Sequence, residues 1–533
     1  MLQDMPVLSL ITFLPLLGVL VLLFLPGTHA RAHKIAGIAA TALPLVLSLW
    51  LFAGYDAAAG GAAFEENFVW SGIPLNHETL PDAEIKLVFS YHLAVDGVSL
   101  PLVVLTTFVT AMAALASVHI RKRWKSYYIW FLILETGALG VFLARDLVLF
   151  FLFFELTLVS LFFLIGIWGY YAREKAASRF LIYNGFGSAL MLIAFVLLTT
   201  TAGFTVVSDT LLHYSTDYAV ILGNLNDPNA YANQASTANN PLYLTETLQW
   251  SIFLLLLVAF GIKLPIFPFH TWMLRVHTEA PPSVVMIHSG ILLKMGAYGL
   301  LRFGVFLFPQ QAKDWAFLLA LLGVVNILYG AVLAIVQKEF KLVLAYSSIS
   351  HMGIVLLGIA SFNELGLQGA VFQLVSHGLI SALLFLIVGM LQERTGTTEL
   401  DGLGGLARPM PFASGVLLTA GLASLGLPGL SGFIGEFLSF LGLFDTMKWM
   451  TAIAAIGVIL TAVYVLRAVL AITFGPAGEP LAAVKDARLI EAVPMIALLA
   501  CIVLLGLYPS VLTDSMRHGF DALIAQLNAR VGG

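Results

Sequence analysis

Residues 255 to 301 read LLLVAFGIKLPIFPFHTWMLRVHTEAPPSVVMIHSGILLKMGAYGLL. Lys263 and Lys294 interrupt runs otherwise apolar enough to sit in a bilayer, where an unpaired charge costs about 3 kcal/mol or more. Pro265 and Pro268 follow the first lysine. Each removes a helical N–H and crowds the carbonyl four residues back, so the pattern predicts a helix that breaks beside the charge and releases the carbonyls of Gly261 and Leu264. Irregular backbone at membrane depth is tolerated only where protein or a water-filled cavity surrounds it, and broken helices of this kind hold the sites of many transporters. Broken helix and buried lysine together predict an ion path.

The composition agrees. Of 533 residues, 60% are hydrophobic and 11% charged, which excludes an ordinary soluble protein. The net charge is -4, and the basic residues lie in short loops rather than in one block, so nothing points to a nucleic-acid partner. The single cysteine, Cys501, excludes a disulfide within the chain and a four-cysteine iron–sulfur site supplied by this chain alone. It reads as a packed thiol. The first apolar run begins after Asp4 without a basic n-region, and is expected to be a retained span rather than a cleaved signal.

Apolar runs of spanning length fall at Val7 to Pro26, Ile35 to Ala53, Leu100 to Val118, Tyr128 to Leu143, Leu147 to Trp168 and Phe180 to Ala202. A broken run from Leu248 to about Phe269 follows, then Ser283 to Phe303, Trp315 to Val336, Leu342 to Ala360 and Gln368 to Leu391. A second broken run, Phe412 to Phe444, precedes Met450 to Phe474 and Ile490 to Tyr508. The expected fold is thus an all-α polytopic membrane protein of about fourteen transmembrane helices, in two inverted-repeat halves, each with a discontinuous helix. The expected division is 1–127 (N-terminal helices with an outer hairpin loop), 128–306 and 307–474 (the two repeat halves), and 475–533 (last helix and tail).

Loop charge sets orientation through the excess of Lys and Arg on the cytoplasmic side. One set of alternate loops carries Arg31 and Lys34, the cluster Arg121, Lys122, Arg123 and Lys125, then Arg173, Lys175 and Arg179, Arg275, Lys338 and Lys341, Arg394 and Arg408, and Lys485 and Arg488. The opposite set is poorer, with Lys86, Arg145, Lys313 and Lys448. Both termini are therefore expected on the outer side, in a bacterial cytoplasmic membrane. Two outer segments are long. Gly54 to Ser99 contains an alternating stretch, Ile85 to Val95, that predicts a strand before the turn at Asp96-Gly97 and a small hairpin cap; Gly203 to Thr247 lacks Lys and Arg and reads as a polar excursion without chemistry of its own.

The second break lies around Gly426-Leu427-Pro428-Gly429, with Gly432 and Gly435 leading to Glu436. Paired interrupted helices are the best sequence pointer to a transporter's site, which makes Lys263 and Glu436 counterparts. Glu155 stands mid-run in LVLFFLFFELTLVSLFFLIGI with no partner on its own helix. A carboxylate there must be protonated, paired or wetted, and Lys263 is the obvious partner; the alternative is a neutral structural glutamate bonded to backbone. Lys294 shares a face with Gly290 and Tyr298. Ser347 and His351 share one in the tenth helix, and Gln373, His377 and Ser381 form a stripe in the eleventh. Such stripes serve either helix–helix hydrogen bonding or a file of water, and the pattern leaves both open for the histidines. Glu135 is a secondary candidate, while His270, His277, His288 and Glu279 stay unassigned. In order, Glu155, Lys263, Lys294, His351, His377 and Glu436 form a candidate line of titratable groups across the interior. No glycine fingerprint, HExxH motif or paired cysteines give nucleotide, zinc or iron–sulfur chemistry a home, so no cofactor or metal is expected on this chain.

The stretches FFELTLVSLFFLIGIWG, GIKLPIFPFHTWMLRVHTEAPPSVVMIHSGILLKMGAYGLLRF, LAYSSISHMGIVLLGI, FQLVSHGLISALLFLIVGML and LPGLSGFIGEF resemble the antiporter-like subunits of NADH–quinone oxidoreductase, respiratory complex I. Within that family, the glutamate at 436 sets one branch apart from the L and N sister subunits and the multisubunit sodium/proton antiporters, which tend to carry lysine there. The chain also stops without the long lateral helix of subunit L. The resemblance implies a proton-translocating subunit driven from a distance, with NADH, flavin, iron–sulfur clusters and quinone in partner subunits and L- and N-type neighbours in the bilayer. It implies Glu155 and Lys263 as the coupling ion pair, Lys294 as the central relay and Glu436 as the residue nearest the outer exit. Two competitors stand beside it: a multisubunit cation/proton antiporter, and a haem-carrying electron carrier using His351 and His377 as axial ligands.

Overall fold

The computed structural model describes residues 5–27, 29–56, 63–75, 84–208, 211–235, 240–476, 481, 483–517, 520 and 524. Helices α1 (Val7–Phe24) and α2 (Ala30–Gly54) lead into strands β1 (Ala63–Pro74) and β2 (Glu84–Val95), followed by α3 (Ser99–Ala116), α4 (Trp124–Leu143), α5 (Leu147–Trp168) and α6 (Arg173–Thr200). Strands β3 (Phe204–Ser208) and β4 (Leu211–Ser215) and helix α7 (Tyr218–Asn226) precede α8 (Glu246–Lys263) and α9 (Thr271–Glu279). The span Pro282–Val305 comprises α10 (Pro282–Ile287), a π-helical turn at His288–Leu292, α11 (Leu293–Gly299) and a second π turn at Leu300–Val305. Then come α12 (Pro309–Asp314), α13 (Ala316–Val336), α14 (Phe340–Ala360), α15 (Glu364–Thr395), α16 (Pro411–Ser424), α17 (Ser431–Thr446), α18 (Lys448–Thr473) and α19 (Leu489–Leu507).

Among the described residues, 13 helices are long and apolar enough to cross a membrane. The remaining expected crossing, Phe412 to Phe444, is split into α16 and α17, 14 and 16 residues long, each too short to span alone. The Pro282–Val305 span is buried along its whole length and α14 and α15 nearly so, whereas α2, α6, α18 and α19 turn most of their apolar side chains outward. The three buried elements form the centre around which the rest packs.

The break after α8 is stitched rather than open. The carbonyl of Gly261, expected to be released, accepts from Ile266 N at 2.9 Å. Asn326 of α13 accepts from Phe267 N (2.8 Å) and donates to Pro265 O (3.4 Å), and Trp272 Nε1 donates to Ile262 O at 3.1 Å. Buried backbone must find partners, and here other helices supply them. Gly296 lets α11 approach this break: a Cβ there would lie 2.5 Å from Leu264 N and 2.8 Å from Phe260 O. The second break turns through Gly426 (φ 80°) and Gly429 (φ 92°), conformations that other residues adopt only under strain.

The two long segments expected on the outer side hold more structure than their sequence indicated, and the chain is not purely α. The expected hairpin forms from antiparallel β1 and β2, but the polar excursion also folds, with β4 parallel to β2 and β3 antiparallel to β4, in the order β1-β2-β4-β3. Ion pairs lock this cap to the helices. Asp96 bonds Arg145 (2.5 Å) and Arg302 (2.7 Å), and His92 Nδ1 lies 2.5 Å from Asp217 Oδ2. Burial alone would push the Asp96 carboxyl up, but the Arg145 and Arg302 guanidinium charges outweigh it and hold it well below the usual carboxylate range.

Candidate functional site

Lys263, the last residue of α8, is buried, and its Nζ has no hydrogen-bond partner. Two rings surround the ammonium: it lies 4.9 Å from the Phe154 ring centroid and 5.6 Å from that of Phe180. The acid that acts on it through space is half-buried Glu155, neighbour of Phe154 on α5. The expected contact pair is therefore open, since Glu155 Oε1 also lacks a hydrogen-bond partner. The physical reason is the aromatic sleeve, which holds the cation over ring faces instead of against the carboxylate.

Beyond Lys263 the structure adds two groups that the sequence pattern left unassigned. His288 opens the first π turn, and its Nδ1 lies 2.9 Å from Nε2 of His277 on α9. Both rings are fully buried, His288 lies within electrostatic reach of Lys263 and Lys294, and His277 within reach of Lys294. Trp272 and Phe180 pack against His288, with ring centroids 5.4 and 6.3 Å away. A π turn repeats every i to i+5 and often marks a functional site, but its phase is not written in the residue types.

From Lys294 the line is one of direct contacts. Its Nζ donates to Ser289 O and lies 2.7 Å from His377 Nδ1. The His377 and His351 rings are 5.4 Å apart. His351 Nδ1 lies 3.3 Å from Glu436 Oε1 and 3.3 Å from Gln373 Nε2, while His351 Nε2 lies 3.4 Å from Ser424 Oγ. A proton on Nδ1 donates to Glu436; a bare Nδ1 accepts from Gln373. The tautomer of one ring thus selects its partner. The predicted stripes meet here: Ser347, His351, His377 and Ser381, together with Leu344, Ile380, Leu384 and Phe385, line a cavity about the size of one water molecule. Ser347 also accepts from Tyr464 Oη (2.9 Å), and Ser381 Oγ turns to Gly378 O on its own helix (3.3 Å). The contacts of the two histidines go to Lys294, Glu436, Gln373 and Ser424 rather than to a shared open space between their rings, which speaks against the haem reading.

Glu436 is buried on α17, facing the second break: a Cβ on Gly426 would lie 2.6 Å from its Oε2. Pro428 and Gly429 lie in that break, as Pro265 and Pro268 lie in the first. Glu135 stands apart. It is fully buried on α4, but neither carboxyl oxygen has a hydrogen-bond partner, so no hydrogen bond ties it to the line. His270 is drawn to Tyr329 (3.2 Å) rather than to the lysines, and Glu279 accepts from Ala172 N (2.8 Å).

Residues 144–462 match the family model described as NADH:quinone oxidoreductase/Mrp antiporter, TM. The chain is 37% identical over 531 residues to "NADH-quinone oxidoreductase subunit M" of Rhodobacter capsulatus, covering 98% of both chains. The chain belongs to the subunit M family of NADH-quinone oxidoreductase. Its fold superposes with a TM-score of 0.80 on a chain of "Respiratory complex I from Thermus thermophilus with bound NADH", at 29% identity, covering 98% of this chain and 99% of that one. A chain of the Mrp complex from Dietzia sp. DQ12-45-1b shares the fold (TM-score 0.78), but at 20% identity the likeness extends to the fold alone.

As a member of the subunit M family, the chain is an antiporter-like, proton-translocating membrane subunit of complex I. The contacts run from Lys294 through His377 and His351 to Glu436 beside the second break, while Lys263 at the first break reaches His288 through space only. What the sequence pattern missed, His277 and His288, occupies the gap between its two lysines.

Proposed function

We propose that this subunit moves protons along Glu155, Lys263, the His288–His277 pair, Lys294, His377, His351 and Glu436. The single observation that carries the reading is the sequence of close contacts from Lys294 Nζ through His377 and His351 to the Glu436 carboxylate. Every group in it can hold or pass a proton, and Gln373, Ser424 and the water-sized cavity give the histidines alternative hydrogen-bond partners. The open Glu155–Lys263 pair is the state in which the lysine is free to give up its proton towards His288. Closing the pair holds the proton in place. Bringing two opposite charges to about 4 Å contributes roughly 4 kcal/mol at an effective dielectric near 20. Moving one charge against 100 mV costs about 2.3 kcal/mol. Switching one such pair therefore covers one proton against a typical membrane potential.

In this reading the electron donor, quinone and redox centres belong to partner subunits, with L- and N-type neighbours flanking the chain in a bacterial cytoplasmic membrane. The loops rich in Lys and Arg face the cytoplasm and both termini the outer side, so Glu436 lies on the exit half of the path. The experiment is NADH-driven, quinone-linked proton pumping in membrane vesicles, wild type against Lys263→Ala, with assembly of the complex followed in parallel. Loss of pumping in an assembled variant supports the relay, and normal pumping makes the lysine structural. Sodium–proton exchange by wild-type vesicles without an electron donor would replace this reading with the cation/proton antiporter.

A further inference from the structure

The face that carries the turn between α3 and α4 holds a cavity of about 760 Å3. Arg121, Lys122 and Arg123 line one side of it and Arg173, the first residue of α6, another. Across from them stand Glu393 and Glu491, both already engaged: Glu491 pairs with Arg394 (2.5 Å) and Arg488 (3.2 Å), and Glu393 with His119 (3.2 Å). Among the described residues, none of the four lining cations forms an ion pair with a carboxylate. The lining also has an apolar part, with Ile120, Ile167, Met286 and Leu386.

Basic loops at a membrane face are ordinarily solvated and need no ligand. Here the turn that carries three of the cations is fixed beside a half-open cavity. Trp168 Nε1 donates to Lys122 O at 2.8 Å, and Lys125 Nζ donates to Leu23 O (2.9 Å) and Leu25 O (3.2 Å), which pins the turn to the ends of α5 and α1. The cavity also sits where six spanning helices end or begin, with Trp168 and Tyr170 in its lining, aromatic residues of the kind that mark headgroup depth. A cavity with uncompensated positive charge at its rim and an apolar part to its lining matches a phosphodiester carried on a hydrocarbon body. We propose that this cavity binds the phosphate-bearing headgroup of an anionic phospholipid. The lipid phosphate sits among Arg121, Lys122, Arg123 and Arg173, and its glycerol portion faces Ile120 and Ile167. The site is separate from the proton line and stands whether or not that line carries protons.

The test uses the intact complex, stripped of lipid in mild detergent and then supplied with phosphatidylglycerol, phosphatidylcholine or inorganic phosphate. Retained lipid is read by native mass spectrometry on this subunit released from the complex. Wild type is expected to keep one phosphatidylglycerol and little phosphatidylcholine. The triple variant Arg121→Gln/Lys122→Gln/Arg123→Gln should lose about tenfold or more of that occupancy, while the charge-keeping Arg121→Lys/Arg123→Lys retains it. Equal retention by wild type and the triple variant overturns the proposal, as does equal binding of phosphatidylcholine. Displacement of the lipid by millimolar phosphate would make this a site for a free anion instead. If the triple variant does not assemble, Arg173→Gln, on the other side of the cavity, is read in the same way, and unchanged retention there overturns the proposal.

Discussion

Lys294 Nζ lies 2.7 Å from His377 Nδ1, so a lysine on the π-turned eighth span and a histidine on α15 share one short contact at the buried centre of the molecule. Among the described residues, His377 is the titratable group that Lys294 touches on the way to His351. Replacing it by alanine should cut quinone-linked proton pumping by about tenfold or more while the complex still assembles, a loss typical of removing a positioned proton-transfer group. Pumping rates in vesicles, normalised to assembled complex, check this. Unchanged pumping would mean that protons reach Glu436 by another way.

Lys263→Arg keeps the charge but not the chemistry. An arginine remains protonated under all working conditions, so it can pair with Glu155 yet cannot pass its proton to His288. The expected outcome is an assembled complex with pumping and coupled electron transfer strongly reduced. Full pumping by this variant would show that the lysine never deprotonates.

Gly426→Ala tests how the second break positions the acid at the end of the line. The backbone there has φ 80°, which costs a residue with a Cβ about 1 kcal/mol or more, and that Cβ would lie 2.6 Å from Glu436 Oε2. Glu436 must move, and the 3.3 Å approach to His351 goes with it. Pumping should fall more steeply than thermal stability; the opposite pattern would make Gly426 a purely structural residue.

Asn326→Leu removes the side chain that both accepts from Phe267 N and donates to Pro265 O. A buried N–H left without a partner costs roughly 1–3 kcal/mol, and the part-buried Phe267 N–H falls at the low end of that range. The variant should lower the thermal unfolding midpoint of the assembled complex and expose the α8–α9 connection to protease, effects absent from a surface substitution on α13.

Asp96 gives a pH dependence with a definite sign. Its carboxyl is held well below the ordinary range by Arg145 and Arg302, so the folded state prefers the ionised form more than the unfolded chain does. The stabilisation is fully present above the unfolded value, near pH 4, and is lost as pH falls further through the depressed folded value. Asp96→Asn leaves two buried guanidinium groups without their carboxylate and should destabilise the β-sheet cap by about 3–5 kcal/mol at neutral pH. The difference from wild type should narrow only in strongly acid buffer. A difference that is constant from neutral to strongly acid pH would remove the charge argument.

The amino-acid sequence by itself determined that the chain crosses a membrane many times, where two of its helices break, and which acidic and basic residues interrupt apolar runs. Those properties are local: apolar length, Gly and Pro chemistry, and the cost of placing Glu155, Lys263, Lys294 or Glu436 in an apolar run all act within a few residues. The stripes Ser347/His351 and Gln373/His377/Ser381 were legible for the same reason, because helical spacing puts each on one face. Only the tertiary structure decided which groups touch. Packing joined Lys294 to His377 and His351 to Glu436, inserted the His277–His288 pair between the lysines, and left Glu135 outside. It also held Glu155 and Lys263 apart behind the Phe154 and Phe180 rings, and paired β4 with β2 across more than a hundred residues of chain. The physical reason is one of range. A helix or a break is set by neighbours along the chain, whereas a proton-transfer contact requires a few tenths of an ångström between side chains on different helices, and those distances are fixed by how all the helices pack at once.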